Sequence, residues 1–286
     1  MAGGGLRAER RGEVQAAYGR GLSSVGPGRI VPAMTSRQPP VAAPWVFSGL
    51  RLKAVLCAVG RRAAWWRVEG GEWVRPVVAP AAWRLPCAEG WPAERLWAVD
   101  FPPGADERLI DEAGIAGRSF RRAGGRIPRR GPAAELRIAL AKCDRYLAAP
   151  AGDGPARWRW VPAHVLPRGA LVVVARDDEF LAGVLASAWA EVWRRGLARR
   201  LEVAAVRSFP LPWSPATARG ALTREQEERR EVVVRAWRAA GGGLEDFDPD
   251  GPAAEELSAA VSMAYGWPAG IGAEEALPRL RAMVSA

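Results

Sequence analysis

The feature that most constrains the fold is the run Ala170-Leu171-Val172-Val173-Val174-Ala175. It is apolar along its whole length and is followed at once by Asp177, Asp178 and a second apolar stretch from Phe180 to Trp193. A short run of this composition reads as a buried strand. Asp177 or Asp178 then offers an N-cap oxygen to a helix expected over Phe180 to Trp193 and closed by Gly196. Strand, acidic cap and helix in immediate succession point to a fold that mixes β and α elements.

The remaining elements are placed on the same grounds. Trp45 to Phe101 contains short strand-like runs, Ala54 to Val59, Trp73 to Val78 and Leu96 to Phe101, broken by Gly and Pro. Trp65, Trp66, Trp73, Trp83, Trp91 and Trp97 lie in this stretch. They suit either stacking on bases or packing of a β core, and core packing is the better fit because large aromatics dominate burial. After Pro132, Leu136, Leu140, Cys143 and Leu147 fall at helical spacing, so a helix of about three turns is expected, ending before Pro150. Thr223 and Gln226 form a capping-box pattern for a helix running to about Ala239, with Val233, Ala236 and Trp237 inward. The run Gly241-Gly242-Gly243 reads as a linker. Pro252 opens a helix carrying Leu257, Val261 and Ala264 and stopped by Gly266, and a last helix is expected from Glu274 to Val284.

These expectations define an α+β chain in three parts: residues 1–44, a Gly-, Ala-, Pro- and Arg-rich segment expected to be disordered; residues 45–215, a β-rich domain; and residues 216–286, a small helical module. The net charge is +10 and is unevenly spread, with 27 basic and 17 acidic residues over 45–215 but 8 and 12 over 216–286. A basic middle suits a polyanion such as nucleic acid. Its densest patch is Gly117 to Arg130, where Arg118, Arg121, Arg122, Arg126, Arg129 and Arg130 surround Phe120, Gly124 and Gly125. It shows no apolar period, and reads as a solvated loop or as an arm that lies against phosphates. Cys57, Cys87 and Cys143 are too far apart for a metal clamp and odd in number, which favours a reducing cytoplasm. No run is apolar over the ~18 residues a membrane span needs, so no membrane partner is expected.

The residues required for chemistry are missing from their usual settings. Adenine methyl transfer needs a Gly-containing cofactor loop after a strand and an Asn/Asp-Pro-Pro-aromatic motif. Asp100-Phe101-Pro102-Pro103 has the residues in the wrong order, and Gly3-Gly4-Gly5 and Gly241-Gly242-Gly243 follow no expected strand. A metal-dependent nuclease needs a lysine just after its second acid, a context that neither Lys53 nor Lys142 has. His164, the single histidine, lies between Pro162 and Pro167 and reads as a turn residue rather than a general base. Asp177, Asp178 and Glu179 could in principle hold a hard metal ion, but helix capping accounts for them more simply.

Taken in order, Leu136 to Leu140, Arg145 to Pro150, Val172 to Asp178, Gly183 to Ser187, Ser208 to Pro212 and Ala264 to Pro268, with the Asp100-Phe101 pair before them, resemble one family. It is the C-terminal target-recognition region of MmeI-like type II restriction-modification enzymes, which are DNA adenine methyltransferases fused to a nuclease. The resemblance implies sequence-specific recognition of duplex DNA by residues 45–215. It carries over no catalytic residue, and no cofactor is expected in this chain, S-adenosylmethionine and Mg belonging to the family's other domains. It implies a separately encoded methyltransferase or nuclease chain as a second partner. The alternative is an interaction fragment of a split or decayed system that docks to a methyltransferase subunit. The segment Leu197 to Arg207 is shorter than the family's loop, yet Arg199, Arg200 and Arg207 beside a helix end supply cations for phosphate contact.

Overall fold

The computed structural model describes residues 45–50, 55–57, 74–80, 96–197, 200–213, 221–242 and 251–285, which fall within one compact unit. The segment 1–44 and Trp65, Trp66, Trp73, Trp83, Trp91 and Cys87 lie outside the described residues. The chain is an α+β protein. Its first sheet is antiparallel, in the order β1 (Val46–Ser48), β8 (Leu171–Val174), β5 (Arg145–Pro150), β6 (Arg159–Pro162). The second follows the order β2 (Val55–Cys57), β4 (Leu96–Val99), β3 (Val74–Val78), β7 (Leu166–Pro167), with β3 and β7 parallel.

Strands β5 and β8 are buried on both faces, and the period of two along each strand sorts their side chains into separate cores. Leu147, Ala149, Val172 and Val174 face a core shared with α4 (Glu179–Ala186), α5 (Ala188–Leu197), α6 (Val203–Arg207), α7 (Arg224–Ala239), α8 (Pro252–Ala264) and α9 (Ala273–Ser285). Tyr146, Ala148, Leu171 and Val173 face the other way, onto α3 (Pro132–Leu140) and onto Val77, Val78, Ala98 and Leu166 of the second sheet. The first sheet is therefore the middle layer of the molecule. Fully buried Trp237, Leu257 and Leu280 from the last three helices anchor the larger core, each contributing roughly 1.5–3 kcal/mol or more through removal from water.

Four local expectations are corrected. The helix after Pro132 stops at Leu140, and Leu147 lies in strand β5 because it pairs with Trp160 and Val174 on either side. The helix expected over Phe180 to Trp193 is two helices broken at Ser187, whose extended backbone (ψ 160°) frees Ala188 N–H to donate to Ser258 Oγ at 3.1 Å. Gly196 accordingly lies inside α5. Gly241 and Gly242 close α7, donating to the carbonyls of Arg238 and Trp237, and so form its C-terminal cap rather than a linker. The capping box of Thr223 and Gln226 and the stop of α8 at Gly266 are as expected. Cys143 is half-buried with a free thiol, and burial pushes its pKa up. No helix among the described residues is long and apolar enough to cross a membrane.

Candidate nucleic-acid interface

Between β4 and α3 the chain makes an excursion that carries the densest basic patch. Asp106 begins it by accepting Leu109 N–H at 2.8 Å and capping α1 (Glu107–Glu112), which leads directly into α2 (Gly114–Arg122). The patch read as a loop is thus helical over its first half. Its apolar side was hidden in sequence because it is built from Ala116, Gly117 and Phe120 alone. A Cβ on Gly117 would lie 1.8 Å from the Ile110 carbonyl oxygen, so only glycine allows α2 to approach α1 this closely. Phe120 meets Phe101 edge to face, with ring centroids 5.1 Å apart, and with Val99, Ile110 and Ala116 they form a small core of their own. Helix α2 ends in a left-handed Gly124 (φ 64°), with Gly124 and Gly125 donating to the carbonyls of Arg121 and Phe120.

On this footing the arginines project outward. Arg118, Arg121 and Arg122 share the exposed face of α2 by their spacing, and Arg126, Arg129 and Arg130 follow on the exposed loop to Gly131. Arg121 alone is engaged, its Nη2 lying 2.6 Å from Glu107 and 2.7 Å from Asp111. Arg118, Arg122, Arg126, Arg129 and Arg130 have no ion pair or hydrogen bond with side chains or backbone among the described residues. They present five guanidinium groups, whose planar forks match phosphate oxygens or the guanine edge.

The base of the excursion is closed by a pair that the sequence reading missed. Asp100, at the end of β4, and Arg137, on α3, are buried together, with Arg137 Nη2 2.6 Å and Nε 3.0 Å from Asp100 Oδ1. Arg75 of β3 approaches the same carboxylate at 3.9 Å and donates to the carbonyls of Ala163 and His164. Burial lowers the Arg75 pKa, while Asp100 works in the opposite direction. The signal was an aspartate ending an apolar strand and an arginine set between Leu136 and Leu140. His164 itself is exposed, and its backbone carbonyl accepts from Arg75.

The other expected phosphate contacts are distributed differently. Arg207 donates twice to the Val46 carbonyl, at 2.7 and 3.1 Å, which ties α6 to β1. Arg200 is exposed and pairs with Asp153 at 3.4 Å, and Arg199 lies outside the described residues. The acidic trio is fully matched. Asp178 caps α4 through Phe180 N–H and meets Arg230 at 3.1 Å, Asp177 meets Arg145 at 2.9 Å, and Glu179 lies between Arg145 and Arg238. No group of three metal-ligating side chains occurs among the described residues.

These features define an α+β protein with an arginine-bearing helical excursion seated on a small apolar core and a buried ion pair. The fold is similar to that of a solved structure, the type IIL restriction-modification enzyme MmeI in complex with DNA, with a TM-score of 0.55 at 15% identity. The match covers 87% of this chain and 37% of that one, so the chain spans little more than a third of the enzyme it resembles in fold. No protein-family model matches the sequence, and no curated protein does.

Proposed function

We propose that this chain binds duplex DNA as the target-recognition part of a restriction-modification methyltransferase system, with methyl transfer and cleavage carried out by residues other than these 286. The observation that carries this reading is the set of five arginines, two on α2 with its buried footing and three on the loop after it, that have no ion pair or hydrogen bond among the described residues, in a fold similar to that of an enzyme solved with DNA. Exposed guanidinium groups gain free energy by releasing counterions from a phosphate backbone, and their spacing on one helix and its following loop suits a continuous strand.

The test is fluorescence-anisotropy binding of the full chain to a randomised duplex pool at two salt concentrations, with sequencing of the retained fraction. Binding that weakens steeply with salt and enriches an asymmetric motif is the expected result. Affinity that does not change with salt would overturn the arginine mechanism. Salt-sensitive binding without enrichment would instead favour a positioning role, with sequence read by a partner chain.

A further inference from the structure

We infer that Glu107 and Asp111 hold Arg121 out of the phosphate-binding set and thereby limit the affinity of the basic face for duplex DNA, an inference that rests on the reading above. Arg118, Arg121 and Arg122 are equivalent in their placement on α2, yet only Arg121 is neutralised. Both carboxylates reach the same nitrogen, Nη2, at 2.6 and 2.7 Å, because Glu107 and Asp111 stand four residues apart and share a face of α1. All three side chains are largely exposed, so the pairs contribute little to folding stability. Their consequence is electrostatic. Two carboxylates occupy the position that phosphate oxygens would take on this guanidinium, and they repel a strand brought alongside it. A strand must either displace them or bind without Arg121. In both cases a larger share of the affinity falls to contacts elsewhere, including those with base edges, and binding to arbitrary sequence is weakened.

The full chain and three variants, E107Q/D111N, R121A and the triple combination, are titrated with a randomised-sequence duplex over a salt series. Release of Arg121 adds one phosphate contact, so E107Q/D111N should bind about fivefold tighter at 0.15 M salt, with a log–log salt slope steeper by about 0.9. R121A should change the wild-type affinity by less than about twofold but remove most of the gain in the E107Q/D111N background, the remainder being the lost repulsion of the two carboxylates, and this non-additivity isolates the contact. Coincident thermal melts establish that the fold is intact, and E107Q and D111N singly replace the double variant if it melts early. Unchanged or weaker binding by E107Q/D111N, or equal loss from R121A in both backgrounds, overturns the inference while leaving DNA binding in place. A wild-type chain without salt-dependent binding overturns both.

Discussion

The carboxylate of Asp100 is almost completely buried and is met by Arg137 on one side and Arg75 on the other. The Asp-Phe-Pro-Pro order had already argued against catalysis there, but sequence gave no means of pairing residues 37 positions apart. Removing one member of a buried pair leaves the other charge uncompensated, so Asp100→Asn should cost about 3–5 kcal/mol in urea unfolding. A loss below about 1 kcal/mol would mean that Arg137 finds water or another acceptor. Surface arginines should behave in the opposite way. Arg122→Ala and Arg126→Ala are expected to leave thermal stability unchanged while lowering DNA affinity uniformly across sequences, each reducing the salt slope by about 0.9. Arg207→Ala, which removes a ligand of the Val46 carbonyl, should lower the melting temperature first. If all three variants affected binding and melting alike, the division between exposed and committed arginines would be wrong.

Among the elements, legibility followed the strength of the local signal. The strand at Leu171–Val174, the acidic cap at Asp178 and the boxed start of α7 were readable because each rests on contacts within a few residues. The strand at Arg145–Pro150 was not, because Leu140, Cys143 and Leu147 imitate helical spacing and strand pairing decides the matter from residues 159–174. The break at Ser187 was equally hidden, its partner Ser258 being supplied by α8. Of the candidate site, the arginines were legible and their helical footing was not, because glycine at position 117 removes the apolar period. Of the acidic trio read as a cap, Asp178 caps α4, while Asp177 and Glu179 pair with arginines, and Asp178 and Glu179 also tie α7 to the sheet end through Arg230 and Arg238. Burial raises the Glu179 pKa, but hydrogen bonds and charge from Arg238 and Arg145 outweigh it and hold the carboxyl below its usual range. A depressed folded-state value gives stability that is present above the unfolded-state pKa and lost as pH falls through the folded-state one. Thermal midpoints should therefore drop as pH falls from about 5 toward 3, and Glu179→Gln should flatten that part of the profile. An unchanged profile in the variant would assign the acid loss to other carboxylates.

At the level of the whole molecule, charge and packing divide the chain differently. Composition separates a basic 45–215 from an acidic 216–286, and that contrast suggested two modules. The larger core, however, takes Leu147 and Val174 from the sheet, Phe180 and Trp193 from the helices after it, and Trp237, Leu257, Val261 and Leu280 from the last three helices. Arg230 and Arg238 add ion pairs across the same junction, and the Tyr265 hydroxyl donates to the Pro210 carbonyl at 2.6 Å. Residues 45–215 alone would expose the apolar faces of α4 and α5 that these side chains cover. Each uncovered large side chain forfeits roughly 1.5–3 kcal/mol, which exceeds a typical net stability of about 5–15 kcal/mol once several are lost together. The 45–215 fragment should therefore show no cooperative urea transition and should bind a dye for exposed apolar surface. Residues 45–286 should unfold in a single step, since β5 and β8 send side chains into both larger cores and couple them. Cooperative unfolding of the shorter fragment at a similar midpoint would show that the basic half is a domain in its own right, with the acidic helices as an appended docking unit.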